Sequence, residues 1–461
     1  MAFKKYIENF DIVDIADRGK AVGKSKDGKV VFLTGVVPGD KAEVLIYKKR
    51  KGNLEGKVVR ILEESPFRVK PVCSHFEYCG GCKWQNLNYE KQLEYKDNQV
   101  KASLQRIAKV ETEKFLPILG SEEEYYYRNK LEFSFSNKRW LTDEEVKSEI
   151  DINQENVLGF HASGNFEKII PIEHCYLQAD PSNQIRNFIR DFTLDKNYSY
   201  WDAKNHLGLM RNIIVRTSSL GQVMVTISFS ENENIFELLD ALKNNFPNIT
   251  SLNYVINSKF NDSIFDLDII NYHGEKYIKE KLGDTEFIIS PKSFFQTNTH
   301  QSQRLYDIAI GFADFKGDET VLDLYTGIGS IALYMAGMVK KVIGVEVIPE
   351  AIDDAKINAL QNNIQNAEFI VGDVKDILLN NIVKPDIIFV DPPRAGLDKK
   401  VVEEILKLNP QKIIYISCNP ATQARDIFLM KDDYTVKNSQ AVDMFPHTHH
   451  IENVVELVRK I

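Results

Sequence analysis

Cysteine is scarce, with five residues in a chain of 461. So few thiols exclude a disulfide framework, and the fold must rest on an apolar core. Long hydrophobic runs are also missing. No stretch approaches the roughly 20 apolar residues that cross a bilayer, and the opening Met-Ala-Phe-Lys-Lys-Tyr-Ile-Glu has no apolar signal core. A cytoplasmic protein with no membrane partner is therefore expected. No internal repeat or low-complexity segment is evident. Net positive charge is lacking too: the chain carries −8 overall, which argues globally against a nucleic-acid binder. The average hides an asymmetry. Residues 1–60 hold fourteen Lys or Arg against eight Asp or Glu, so the remainder carries −14.

What is present divides into three regions, expected as domains over 1–65, 66–290 and 291–461. In the first, short runs of β-formers alternate with Gly, Asp and Pro turns: Val30 to Leu33, Ala42 to Tyr47 and Lys57 to Leu62. That spacing reads as a small barrel. The basic peak Lys48-Lys49-Arg50-Lys51-Gly52-Asn53 falls between two of the runs. Gly19-Lys20-Ala21-Val22-Gly23, followed by Gly35-Val36-Val37-Pro38-Gly39-Asp40, resembles the TRAM domain, an OB-type barrel attached to RNA-modifying enzymes. The resemblance implies a basic face turned to nucleic-acid backbone.

The second region opens on Cys73-x5-Cys79-Gly80-Gly81-Cys82, and four thiolates are needed to close a zinc site or an iron–sulfur cluster. Cys175 and Cys418 remain as candidates for the fourth. Cys175 is assigned, because Cys418 is needed elsewhere. Spacing alone leaves zinc and a cluster equally open, and it differs from the three-Cys motif of radical enzymes. Tyr89 to Lys109 carries Leu93, Val100, Leu104 and Ile107 at helical spacing, which predicts an amphipathic helix. The rest of the region reads as an α+β substrate platform, with strands at Lys130 to Phe135 and Gln222 to Ile227 and a helix near Ile235 to Asn244. Tyr125-Tyr126-Tyr127-Arg128-Asn129-Lys130 interleaves aromatics with cations, as a base-stacking surface or an ordinary core edge would.

The third region carries the chemistry. Strand Thr320 to Tyr325, the turn Thr326-Gly327-Ile328-Gly329-Ser330, helix Ile331 to Met338 and strand Lys341 to Glu346 form an α/β nucleotide-binding pattern. Glycines at the strand end admit a nucleoside, and the acid Glu346 can hold both ribose hydroxyls. The third glycine of the dinucleotide fingerprint is absent, which favours S-adenosyl-L-methionine over a hydride-transfer cofactor. Asp323 is read as holding the loop. Asp373, after the strand Glu368 to Val371, is equally readable as an adenine contact or a turn cap. Strand Asp386 to Val390 delivers Asp391-Pro392-Pro393-Arg394-Ala395-Gly396 at its carboxyl end, and strand Lys412 to Ile416 delivers Ser417-Cys418-Asn419-Pro420 at the same edge. A lone Cys is more often a small buried hydrophobe. Its place at the ligand edge reverses that reading. Uracil C5 is too weak a nucleophile to take a methyl group directly, so a thiolate must first add at C6. Cys418 suits that role, and Glu452, in His447-Thr448-His449-His450-Ile451-Glu452, suits the later removal of the C5 proton.

Together these stretches resemble the RNA uracil-C5 methyltransferases over essentially the whole chain, and most closely the 23S ribosomal RNA branch with barrel and cluster. Cys73 to Gln85, Ser290 to Asn298, Asp323 to Gly329, Asp391 to Gly396, Ser417 to Pro420 and Pro446 to Glu452 carry the likeness. It implies a Rossmann-like methyltransferase domain at the C-terminus and a 4Fe-4S cluster on Cys73, Cys79, Cys82 and Cys175. It also implies Gln296, Tyr325, Glu346 and Asp391 around S-adenosyl-L-methionine, with Gly327 in the loop, Cys418 as nucleophile and Glu452 as base. The implied partner is 23S ribosomal RNA, with no obligate protein partner. Alternatives are the same reaction on transfer RNA and a noncatalytic RNA-binding iron–sulfur protein. A DNA cytosine-C5 enzyme would order its motifs differently, and an amino-methyltransferase would not need Cys418.

Overall fold

The computed structural model describes residues 5–50, 53–147, 156–162, 164–165, 167–380 and 384–460. Lys51 and Gly52 of the basic peak lie outside the described residues. Five strands, β1 (Tyr6–Ile15), β2 (Ala21–Lys24), β3 (Val30–Leu33), β4 (Lys41–Arg50) and β5 (Asn53–Glu63), close a barrel in the order β1-β2-β3-β5-β4. Alternate residues such as Phe10, Ile12, Val31, Leu33, Val44 and Ile46 point inward and fill it. This is the barrel expected from the turn spacing.

Helix α1 (Tyr89–Ser103) starts where the Asn88 side chain accepts from the Lys91 backbone N–H at 3.1 Å. Its buried face differs from the expected one. Val100 and Leu104 are buried, but Leu93 is only partly so and Ile107 is 42% exposed, while Gln92 and Lys96 are buried. The physical reason is twofold. A π-type turn over Leu104–Ala108 rotates the last residues off the helical face, and a buried carboxylate, Asp443, meets Lys96 at 2.6 Å. Strand β6 (Thr112–Phe115) then runs to the edge of a sheet built mainly by the last third of the chain.

Seven strands form the central sheet: β7 (Lys130–Ser136), β8 (Val157–His161), β9 (Ile169–Pro171), β10 (Met210–Thr217), β11 (Val223–Phe229), β12 (Ile249–Ile256) and β13 (Ile269–Gly274). They are ordered β13-β12-β11-β10-β7-β8-β9. Helices α2 (Asp143–Lys147), α3 (Ser182–Asp195) and α4 (Phe236–Asn245) interrupt them, and a hairpin, β14 (Ile278–Leu282) and β15 (Thr285–Ile289), leads out. Ile185, Ile189, Leu238 and Leu242 bury the apolar stripes of α3 and α4 in one core with the inner faces of β7, β10 and β11.

The C-terminal sheet is doubly wound. After α5 (Thr299–Ala313) come β16 (Thr320–Leu324), α6 (Ser330–Met335), β17 (Lys341–Glu346), α7 (Pro349–Gln361), β18 (Ala367–Val371) and α8 (Val374–Leu379). The chain then crosses to β19 (Ile387–Val390), α9 (Lys399–Leu408), β20 (Lys412–Ser417), α10 (Pro420–Met430) and the antiparallel pair β21 (Tyr434–Val442) and β22 (Glu452–Arg459). The order is β18-β17-β16-β19-β20-β22-β21-β6. Strands β16 to β20 are parallel and nearly continuous apolar runs, as burial on both faces requires. Strand order reverses between β16 and β19. A crevice opens at their carboxyl ends, where such sheets bind ligands.

Candidate active site

On one wall of the crevice the glycine turn follows β16. Tyr325, Gly327 and Gly329 all have positive φ, at 65°, 56° and 78°, so the backbone doubles back sharply before α6. A Cβ built on Gly327 would meet nothing within 4 Å, so the loop leaves open space there. Glu346 closes the turn from β17: its carboxylate accepts from the N–H groups of Gly327 at 3.2 Å, Val347 at 2.9 Å and Ile348 at 3.1 Å. Beside it Val347 and Ile348 are 58% and 52% exposed. Asp323 does hold the loop, accepting from the Thr326 hydroxyl. Its second oxygen is buried without a partner, and burial pushes its pKa up to about 7. Asp373 caps α8 by accepting from Lys375 N at 2.8 Å, the turn-cap arrangement. Gln296 lies in the segment between β15 and α5. That segment is tied to α7 by Ser293 Oγ donating to Asp354 at 2.6 Å, and to β7 by Asn129 Nδ2 donating to the Gln296 carbonyl at 2.9 Å.

The other wall is built by β19, β20 and β22. Cys418 follows β20 just before α10, whose first residue is Pro420 and whose cap, Asn419, accepts from Ala421 N at 3.1 Å. A thiol at a helix N-terminus gains from the helix dipole. Register sets its partner. Ser417 pairs with Asn453 across the antiparallel β20–β22 ladder, so one further step places Cys418 opposite Glu452. Asp391 follows β19, the parallel neighbour of β20. Burial pushes the Asp391 carboxyl up to about 7 and holds Glu452 well above the ordinary carboxylate range, with their mutual repulsion adding to the shift on Glu452. Cys418 is raised to about 11 by burial and by the charges of Glu452 and Asp391, while a hydrogen bond and the positive charge of Arg394 pull it back. Arg394 in turn donates to His450 Nδ1 at 3.0 Å. Burial and the cation keep that imidazole neutral, with a pKa lowered to about 3.

The four cysteines assigned as ligands come together elsewhere. Cys73, Cys79, Cys82 and Cys175 line one cavity of about 140 Å³ walled by Phe76, Phe160 and Leu177. Gly81 N donates to Cys79 Sγ at 3.4 Å, and burial raises the Cys79 and Cys82 thiols to about 12, each also feeling the other cysteines. Among the described residues no three His, Cys, Asp or Glu side chains are gathered as a single metal ion would need.

Three residues escaped the sequence reading in their actual roles. Arg394 was visible only as part of a proline loop, and His450 only as one of three histidines. His447 anchors the loop to the segment after the barrel. It accepts from Lys83 N at 2.8 Å and Trp84 N at 3.0 Å through its carbonyl, and its ring meets Gln92 at 3.2 Å. The Tyr125 to Lys130 run acts as a bridge: Tyr127 is buried and donates to the Pro446 carbonyl at 2.9 Å, while Tyr126 stays 42% exposed.

Comparison with known proteins accords with this geometry. The family described as tRNA (uracil-5-)-methyltransferase matches residues 241–373 and 371–460. A protein of Bacteroides thetaiotaomicron named as an uncharacterized RNA methyltransferase is 48% identical over 96% of this chain and 99% of its own. One of the same description from Porphyromonas gingivalis is 48% identical over 97% and 99%. Among solved structures, the tRNA (uracil-54, C5)-methyltransferase of Pyrococcus abyssi, in complex with S-adenosyl-L-homocysteine, superposes with a TM-score of 0.76 at 28% identity, covering 98% of this chain and all of that one.

Proposed function

The chain belongs to the S-adenosylmethionine-dependent RNA uracil-C5 methyltransferases, and from that premise we propose that it methylates a uridine of 23S ribosomal RNA through a covalent bond between Cys418 and C6. The observation that carries this reading is the register of β20 on β22, which sets a thiol against a buried carboxyl at the ligand edge of the sheet. A noncatalytic RNA-binding protein has no use for that pair.

Gln296, Tyr325, Gly327, Glu346, Asp373 and Asp391 are the groups we assign to S-adenosyl-L-methionine. The open space at Gly327, the exposed Val347 and Ile348 and the unpartnered Asp323 oxygen suit a nucleoside with a charged tail. Bound there, the cofactor supplies an electrophilic methyl group. Cys418 sulfur attacks C6, forming a C–S bond and driving the C5–C6 π electrons into an enolate; C5 would then take the methyl group as its bond to the cofactor's sulfonium sulfur breaks, leaving the thioether S-adenosyl-L-homocysteine. Glu452 takes the C5 proton; the electron pair restores the C5–C6 double bond and expels the sulfur. Arg394 holds the sulfur's negative charge before attack and after release. The uridine must leave its stack to reach the crevice.

For the cysteine cavity we propose the 4Fe-4S cluster. Four thiols around about 140 Å³ of space, with a backbone N–H on Cys79 sulfur, suit a group of several metal atoms better than one zinc. Such a cluster would cross-link the segment after the barrel to the central sheet. Iron and acid-labile sulfide in anaerobically purified protein support it, and stoichiometric zinc without iron overturns it.

Transfer RNA is a second reading, favoured by the Pyrococcus structure. That enzyme covers 98% of this chain, so overall architecture does not separate the two substrates. Mapping 5-methyluridine in both RNAs from a deletion strain decides: loss from 23S ribosomal RNA alone is expected, and loss from transfer RNA alone overturns it. The chemistry is tested with 5-fluorouridine-substituted RNA and cofactor. A covalent adduct should form, vanish in Cys418→Ala, and accumulate on ordinary uridine RNA in Glu452→Gln.

A further inference from the structure

We propose that a cavity of about 620 Å³ in the central sheet is a second nucleobase subsite, taking an unpaired, amino-bearing base of the same RNA whose uridine reacts in the crevice. The proposal rests on the reading above for its RNA, and on its own residues for the site. The volume falls within the roughly 300–1,000 Å³ of ordinary ligand pockets. Its stacking surface is aromatic. Phe260 is 76% exposed, and its ring lies 4.2 Å from His206 at an interplanar angle of 30°. Behind it, Trp201 carries the Arg211 guanidinium 3.9 Å from its ring centre. An aromatic face this open is the platform on which unstacked bases settle.

The polar edge of the cavity has acceptors to spare. Asn212 is 6% exposed; its Nδ2 donates to Ser134 Oγ at 3.1 Å, while its Oδ1 has no partner. Ser134 Oγ also meets His161 Nε2 at 3.2 Å. Glu167 and Asp262 also line the cavity, each already ion-paired, with Lys138 at 3.6 Å and with Arg211 at 2.9 Å. Unsatisfied acceptors select an exocyclic amine, which adenine and cytosine carry and uracil does not. The terminal nitrogens of the lining cation are committed: Arg211 Nη1 and Nη2 donate to Asp262 and to the carbonyls of Asn257, Lys259 and Asn261, and only its buried Nε is left without a partner among the described residues. A base is therefore read here, with no phosphate clamp.

Placement separates this subsite from the reacting one. Strands β7 and β10 touch the crevice at one end, through Asn129 N donating to the Thr297 carbonyl at 2.8 Å and Arg216 Nη2 donating to the Ser293 carbonyl at 2.6 Å. The cavity opens at their other end, beside Ser134, Ser136 and Asn212. At roughly 3.3 Å per residue, the length of β7 puts about 20 Å between the cavity and the segment that carries Gln296. One RNA strand of several nucleotides can occupy both; a trinucleotide cannot.

Phe260→Ala removes the platform at an exposed position without touching the core. With a structured RNA substrate, KM should rise roughly ten- to a hundredfold, the range of single-base stacking losses, at unchanged kcat. A uridine trinucleotide should be methylated equally by both proteins. Trp201 emission should be quenched saturably by adenosine, far less by uridine, and by neither in Phe260→Ala. Unchanged KM on the long RNA, equal loss on both RNAs, or quenching indifferent to base or to Phe260 would overturn the subsite. A protein that methylates no RNA yet shows the adenosine quench overturns the methylation reading and leaves the subsite standing.

Discussion

At Cys418 two anionic neighbours and burial hold the thiol up to about 11, and Arg394 alone among the named groups opposes them. That cation therefore favours the thiolate against burial and the two carboxylates. Arg394→Ala should slow adduct formation with 5-fluorouridine RNA at pH 7, because the thiol loses the cation that lowers its pKa. The deficit should shrink as pH rises toward 10, and a pH-independent deficit would mean that Arg394 positions RNA instead. Asp391 supplies a second residue-scale test. Its pKa in the folded chain, about 7 against an ordinary 3.8, is raised, so its contribution to stability is complete below pH 4 and is lost as pH climbs through 7. Asp391→Asn should stabilise the fold at pH 8, by on the order of 1–2 kcal/mol after allowance for its partial exposure, seen as a higher melting temperature, and change little below pH 4. The same substitution should weaken cofactor binding, as expected where a site holds a charge the fold disfavours.

Among the elements, α1 shows most plainly what a pattern can hide. A sequence reading takes Lys96 for surface, because lysine almost never sits in a core unpaired. In the structure Lys96 and Asp443 are both 0% exposed and 2.6 Å apart, and Lys96 also donates to the Phe445 carbonyl at 3.2 Å. The pair fastens α1 to the segment that leads into the catalytic loop. Lys96→Met should cost about 3–5 kcal/mol, because it strands a buried carboxylate, and a second change, Asp443→Leu, should return part of it. Chemical denaturation of the three variants measures this; additive losses would show that the two residues do not act as a pair. Strands β16, β17, β19 and β20, by contrast, were legible to within a residue at each end, since apolar runs bounded by Gly, Asp and Pro leave little choice of element. Strand β6 was not, because its partner β21 lies more than three hundred residues away.

Across the whole molecule, the barrel reaches the catalytic loop. The Gly19 carbonyl accepts from Trp84 Nε1 at 3.1 Å, and a Cβ built on Gly19, at φ +73°, would lie 2.7 Å from His449 Cβ. His449 is three residues from Glu452. Gly19→Ala should therefore slow methylation roughly ten- to a hundredfold by displacing the loop, while S-adenosyl-L-methionine affinity, governed by the far wall, stays the same. Isothermal titration beside steady-state rates checks this, and a matching fall in cofactor affinity would point to general unfolding.

The sequence by itself determined most of the local elements and the glycine turn, because each depends on neighbours within a strand, a turn or a helix end, and it offered Cys418 and Glu452 as candidate thiol and acid. Only the tertiary structure decided that Cys418 faces Glu452 across an antiparallel return, that Arg394 and His450 complete the pair, and that four distant thiols share one cavity. Those facts depend on register and on contacts between segments hundreds of residues apart. Hydrophobic periodicity records which face of a strand is buried, and carries no address for what lies opposite.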